Sequence, residues 1–283
     1  MDVKTKGILA YLVIAFGVTW TIWEIPARKG LSFDHPVFQI MILLGSFGPA
    51  IACIVVRKWV TREGFSDAGL KLTLKKWRYY LAAWVLPLVV ALAVVGLAVL
   101  FRIGEPDFSP HDLETRVPIV RLLPVPPEFY FVLIVLQLML TAAIMAPLLF
   151  GEEFGWRSYL QIRLFSDRPV LAAVTTGIIW GVWHYPLNLR GYNYPDHPIL
   201  GLLLFPMVMV CLSIPLGWLR LKSESIWPAC LGHAGVGIIG SSLVAYVFMS
   251  PDSISRLHLE VLAWVPLVVL SAWIIITGRL KPE

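Results

Sequence analysis

Residues 129–157 read FYFVLIVLQLMLTAAIMAPLLF, then GEEFGWR. The first part is a 22-residue run whose strongest polar group is Gln137. As a helix it would extend about 33 Å, enough to cross a hydrocarbon core of about 30 Å. Directly after it stand Glu152, Glu153 and Arg157. An ionisable group at the centre of a bilayer costs about 2.5–3.5 kcal/mol on insertion scales, so such residues usually face a protein interior and carry function. The rest of the chain reads as a scaffold that brings two histidines, His184 and His233, to this acidic pair.

Composition sets the class. The chain is 58% apolar and only 14% charged, with a mean hydropathy of +0.77, whereas soluble proteins average about 25% charged residues. The apolar runs are helix-length and do not alternate as barrel strands do. The expectation is an all-α polytopic membrane protein forming a single transmembrane domain over 1–283, in the cell membrane. The net charge of +5 suits anionic lipid head groups, because the basic residues flank the runs; nothing points to nucleic acid. Cys53, Cys211 and Cys230 all lie inside apolar runs without a CxxC pair, so neither a disulfide nor a metal thiolate is expected.

About eight spans are expected, near 8–25, 37–57, 79–101, 129–151, 169–187, 199–220, 226–249 and 260–278, the fifth being the shortest. Lys4 and Lys6 precede a run without a clear cleavage site, which reads as a first span. No lipidation box closes the chain. With the N-terminus inside, 16 of the 23 Lys and Arg residues fall on the inner side, so both termini are expected to be cytoplasmic. Residues 59–78 either lie along the cytoplasmic surface, with Lys75, Lys76 and Arg78 near head groups, or form a solvated linker. Proline and acidic residues fill the outer connection 102–128.

Three motifs carry chemistry. On a helix, Glu153 and Arg157 are i,i+4 neighbours in the favourable order for an ion pair. Glu152 then lies about 100° away, available as a base whose proton affinity rises with desolvation. The plainer alternative is an interfacial turn whose charges meet water. In Trp180-Gly181-Val182-Trp183-His184-Tyr185-Pro186, Trp180 stands one turn before His184 on the same face; an interfacial aromatic belt would also account for it. In Ile226-Trp227-Pro228-Ala229-Cys230-Leu231-Gly232-His233, Pro228 suits a first helical turn, and His233 falls inside an apolar span. His35, His111, His197 and His258 fall in outer loops and read as surface residues.

Taken together, Glu152-Glu153-x-x-x-Arg157, Trp180-x-x-x-His184 and His233 resemble the CPBP family of intramembrane proteases, which includes the CAAX prenyl endopeptidases and bacterial relatives. Their neighbours Trp156-Arg157-x-x-Leu160, Trp183-His184-x-Pro186 and Ile226-Trp227-Pro228-Ala229 also match, in the family's order. The resemblance covers about 145–240, a protease-like core, and implies eight helices. It implies that Glu152 and His184 activate a water against a peptide carbonyl of a membrane-anchored or lipidated substrate. His233, with an asparagine or aspartate one turn later, would stabilise the oxyanion; Glu153, Arg157 and Trp180 would support them. This chain departs at that later position, which is Gly237. Loss of one oxyanion donor costs about 2.7–4 kcal/mol, so either another donor substitutes, with Asn188, Asn193 and Ser241 as candidates, or activity is weak. The departure also leaves open a non-catalytic scaffold or immunity protein that binds a peptide or a membrane-protein partner.

The HExxH spacing is absent, so the sequence does not demand a metal, and the expectation is metal-free chemistry with Zn2+ kept as the alternative. Were Zn2+ present, Glu152, His184 and His233 would be its ligands, leaving a fourth position open. Depth poses a problem for straight helices. His184 lies about 22 Å in from Pro169, His233 about 10 Å in from Ile226, and Glu152 near the cytoplasmic edge. A kink at Pro147, helix tilt, or a break at Gly151 and Gly155 is required to bring them together.

Overall fold

The structure is a computed structural model and describes residues 2–103, 105–117, 122, 124–248 and 256–281. Parts of the connections 102–128 and 249–255 therefore lie outside the described residues, with the end of the seventh expected span. Among the described residues every regular element is helical. Helices cover the expected apolar runs in order, among the described residues: α1 (Val3–Arg28), α2 (Pro36–Val60), α3 (Leu74–Leu100), α4 (Pro127–Arg163), α5 (Pro169–Trp183), α6 (Pro198–Ser223), α7 (Trp227–Val247) and α8 (Arg256–Ile276). Six of them are long and apolar enough to cross a membrane; α5 and the Val261–Ile276 part of α8 are shorter apolar helices. The chain is a multi-pass membrane protein.

The fourth span does not end at Gly151. Helix α4 continues twelve residues further, to Arg163. Pro147 is absorbed by a tight 3₁₀ turn over Ala146–Leu149, and a wide π turn follows over Trp156–Leu160. The charges of 151–157, read locally as the end of a span, lie a helix turn or more inside it. Glu152 is eleven residues from the Arg163 end, or about 16 Å, which removes the depth conflict with His184. Arg157 accordingly belongs to the helix interior and not to an inner loop; the excess of inner basic residues survives its removal.

Close helix approach is built from small residues. A Cβ on Gly151 would stand 2.8 Å from the Ser46 carbonyl oxygen, and one on Gly155 would collide with Pro49 and Tyr11. Gly177 and Gly181 press in the same way on Val210 and Pro206 of α6. Both pairs are small-xxx-small spacings, the pattern that lets membrane helices pack backbone to backbone. They clamp α4 onto α2 and α5 onto α6. Between these clamps lies a buried core containing Trp23, Trp156, Trp180 and Trp183.

The segment between α2 and α3 is not a solvated linker. Buried Arg57 donates to Asp67 (2.7 Å) and to the Ser158 carbonyl (3.0 Å). Arg163 meets Asp67 and Glu63 at 3.2 and 2.9 Å. Arg220 donates to Ser158 Oγ (3.1 Å) and to the Asp67 carbonyl. Further on, the Leu70 and Lys71 carbonyls accept from Trp227 Nε1 and Ser225 Oγ. The segment is a latch across the ends of α4, α6 and α7, and Arg57 and Arg220 hold it.

Candidate active site

Helix α5 is only fifteen residues long, about 22 Å, so its C-terminal end stops within the protein. His184 caps that end, and a short helix, Tyr185–Asn188, turns away from it. Irregular backbone at membrane depth is tolerated where protein covers it; Pro186, Leu187 and Asn188 are all buried.

Trp180, 1% exposed, sits at the centre of the polar cluster. Its indole N–H donates to Glu152 Oε2 at 2.7 Å. Its carbonyl lies 3.0 Å from His184 Nδ1. The Arg157 guanidinium stands 4.8 Å from its ring centroid, and the His233 ring meets it edge-on at 5.0 Å. Glu153, fully buried, faces two partners: Oε2 lies 3.2 Å from Arg157 Nε, and Oε1 lies 2.9 Å from His233 Nδ1. Arg157 also donates to Ser213 Oγ (3.1 Å), whose hydroxyl donates in turn to the Ala173 carbonyl (2.7 Å).

The structure thus gathers Glu152, Glu153, Arg157, Trp180 and His233 into one connected cluster, with His184 joined to it through Trp180. The Trp183 and Phe205 rings flank His184 at 4.7 and 4.9 Å. Among the described residues, no hydrogen bond links His184 directly to either carboxylate. The expected i,i+4 pair of Glu153 and Arg157 forms, but Glu153 does more than hold a turn, because it also grips His233. A backbone carbonyl beside Nδ1 of His184 and a carboxylate beside Nδ1 of His233 each favour a proton on that nitrogen, leaving Nε2 as the free edge. Glu152's second oxygen takes no hydrogen bond from a described residue.

Asn188 is fully buried; its Oδ1 accepts from Asn193 Nδ2 at 2.6 Å, and its own Nδ2 has no partner among the described residues. Ser241 is exposed and its hydroxyl bonds the Gly237 carbonyl on its own helix, so it is spent as a donor. A Cβ at Gly237 would meet open space. No group of three or more His, Cys, Asp or Glu side chains is arranged to hold a metal ion among the described residues. The donors of Glu152, His184 and His233 do not fit a common ligand set as placed. Cys53, Cys211 and Cys230 are free thiols. Sequence reasoning missed Ser213, an ordinary small polar residue in an apolar run, and the second role of Glu153.

Two buried carboxylates with two half-buried imidazoles near them, where several apolar helices meet, define a class: a polytopic membrane protein with a cluster of ionisable groups inside its helices. Residues 128–239, from the start of α4 to the middle of α7, match a family model described as type II CAAX prenyl endopeptidase Rce1-like. Over that stretch, about two fifths of its length, the chain is similar to this family, and the match supports the resemblance to the CPBP proteases. No curated protein matches it.

Proposed function

We propose that the protein is a glutamate-type intramembrane endopeptidase of the cell membrane, cleaving a membrane-anchored or lipidated peptide, with both of its own termini cytoplasmic. The reading rests on one observation above the others: Trp180 holds one oxygen of a buried Glu152 and leaves the other free for a water. In this mechanism Glu152 takes the proton as the water oxygen attacks the peptide carbonyl carbon. His184, oriented at Nδ1 by the Trp180 carbonyl, shares the attacking water through Nε2. His233, steadied by Glu153 and Arg157, stabilises the oxyanion. Collapse breaks the C–N bond, and the proton held by Glu152 passes to the leaving amine. Asn188, with its unpaired Nδ2, is the substitute donor for the missing side chain at Gly237.

The reaction so written needs no metal. Reversible loss of activity on chelation, restored by zinc, would replace this scheme. The test of the assignment is purified protein in detergent with membrane-anchored and lipidated peptides, substrate being sought by trapping on Glu152→Gln. Unchanged turnover by that variant would refute the base. Gly237 favours one rival, a scaffold or immunity protein that binds peptides without cutting them. A combined Glu152→Gln and His184→Ala variant that keeps the biological phenotype would establish the rival.

A further inference from the structure

A second feature lies away from the acid–base cluster. Helices α3 and α8 leave between them a groove of about 410 Å3, walled by apolar side chains including Leu86, Val89, Val90, Pro266, Val269 and Trp273. Its α3 wall lies about a quarter turn around that helix from Pro87, which packs under Gly235 of α7. Trp273, near the last turn of α8, is shared with a cationic cluster at one end of the groove. Arg279 stands 4.1 Å from the Trp273 ring and 6.0 Å from Trp218. Trp218 in turn meets Trp273 and Tyr79 edge to face, and Arg78 lies over Tyr79.

Aromatic faces hold the Arg279 cation without supplying a hydrogen-bond acceptor. Arg279 Nε and Trp218 Nε1 are both buried with no hydrogen-bond partner among the described residues. Buried donors without acceptors are costly, and a charged one more so. What completes this end is an anionic acceptor; what completes the groove beneath it is a hydrocarbon chain. One molecule at the edge of a bilayer carries both in that order. We propose that the α3–α8 groove is an anionic glycerophospholipid site, with one acyl chain along Leu86–Val90 and Pro266–Trp273 and the phosphate on Arg279. This site is independent of the protease reading and requires no substrate.

The test uses full-length protein in detergent, equilibrated with equal amounts of phosphatidylglycerol and phosphatidylcholine bearing the same chains, with retained lipid read by native mass spectrometry. Wild type retains phosphatidylglycerol preferentially. Arg279→Gln lowers that preference about fivefold, the effect of one basic residue at a membrane surface, while Arg279→Lys keeps most of it. Val269→Trp fills the groove and loses both lipids. Glycerol phosphate does not displace the bound lipid. Equal lipid ratios in wild type and Arg279→Gln, full retention by Val269→Trp, or displacement by glycerol phosphate would each overturn the proposal. Should Arg279→Gln fail to fold, as read by thermal melting, the Lys and Trp variants decide alone.

Discussion

Trp180 touches the cluster in four ways, through its indole N–H, its carbonyl, its face and its edge, and Glu152 depends on the first of them. Replacing it with Phe keeps the ring and removes the donor. Turnover should fall because Glu152 is no longer fixed, and the melting temperature should fall with a loss of about 1–3 kcal/mol from the unpaired carboxylate. Glu152→Gln is isosteric and still accepts from Trp180, so it should melt near wild type while losing at least about a hundredfold in rate, the lower range of general-base catalysis. Normal rates in a peptide-cleavage assay would remove Glu152 from the reaction. Gly237 offers the opposite experiment. An added side chain there meets open space, so Gly237→Asn should fold and raise turnover, by up to the several kcal/mol that one oxyanion donor supplies. An unchanged rate would mean that position 237 does not face the developing charge.

Individual helices are placed by close contact and by the latch. A Cβ on Gly177 would stand 2.6 Å from the Val210 backbone, while one on Gly96 would have nothing within 4 Å. Gly177→Val should therefore cost about 1–3 kcal/mol through overpacking of α5 against α6, and Gly96→Val close to nothing; equal thermal shifts for the two would contradict the clamp. The latch carries its own pH dependence. Burial pushes the Asp67 carboxyl up, but its hydrogen bond to Arg57 and the charges of Arg57 and Arg163 outweigh this, so the group titrates below its ordinary value of 3.8. A depressed carboxylate contributes stability that is complete above the ordinary value and is lost as pH falls through the folded one. Segment 61–73 should resist proteolysis at about pH 5 and become cleavable below about pH 3. Asp67→Asn should abolish that difference.

At the scale of the whole molecule, the apolar runs and the membrane class were legible in the chain, as were Glu152, His184 and His233 as the residues the proposed function uses. Hydropathy and helical spacing are local properties, and a window of residues contains everything they need. The same window misplaced the end of α4, because it counts a buried, paired arginine as if it met water. Arg157 is compensated by Glu153 nearby and by Ser213 from another helix, and Arg57 by a loop ten residues on and a carbonyl from α4. The spacings Gly151-x-x-x-Gly155 and Gly177-x-x-x-Gly181 stood in the sequence as a usable packing signal, but their partner helices did not. Only the tertiary structure decided which carboxylate meets which imidazole. The Glu153–His233 pairing joins residues 80 positions apart, and its energy arises only when packing has excluded the water that would otherwise screen it.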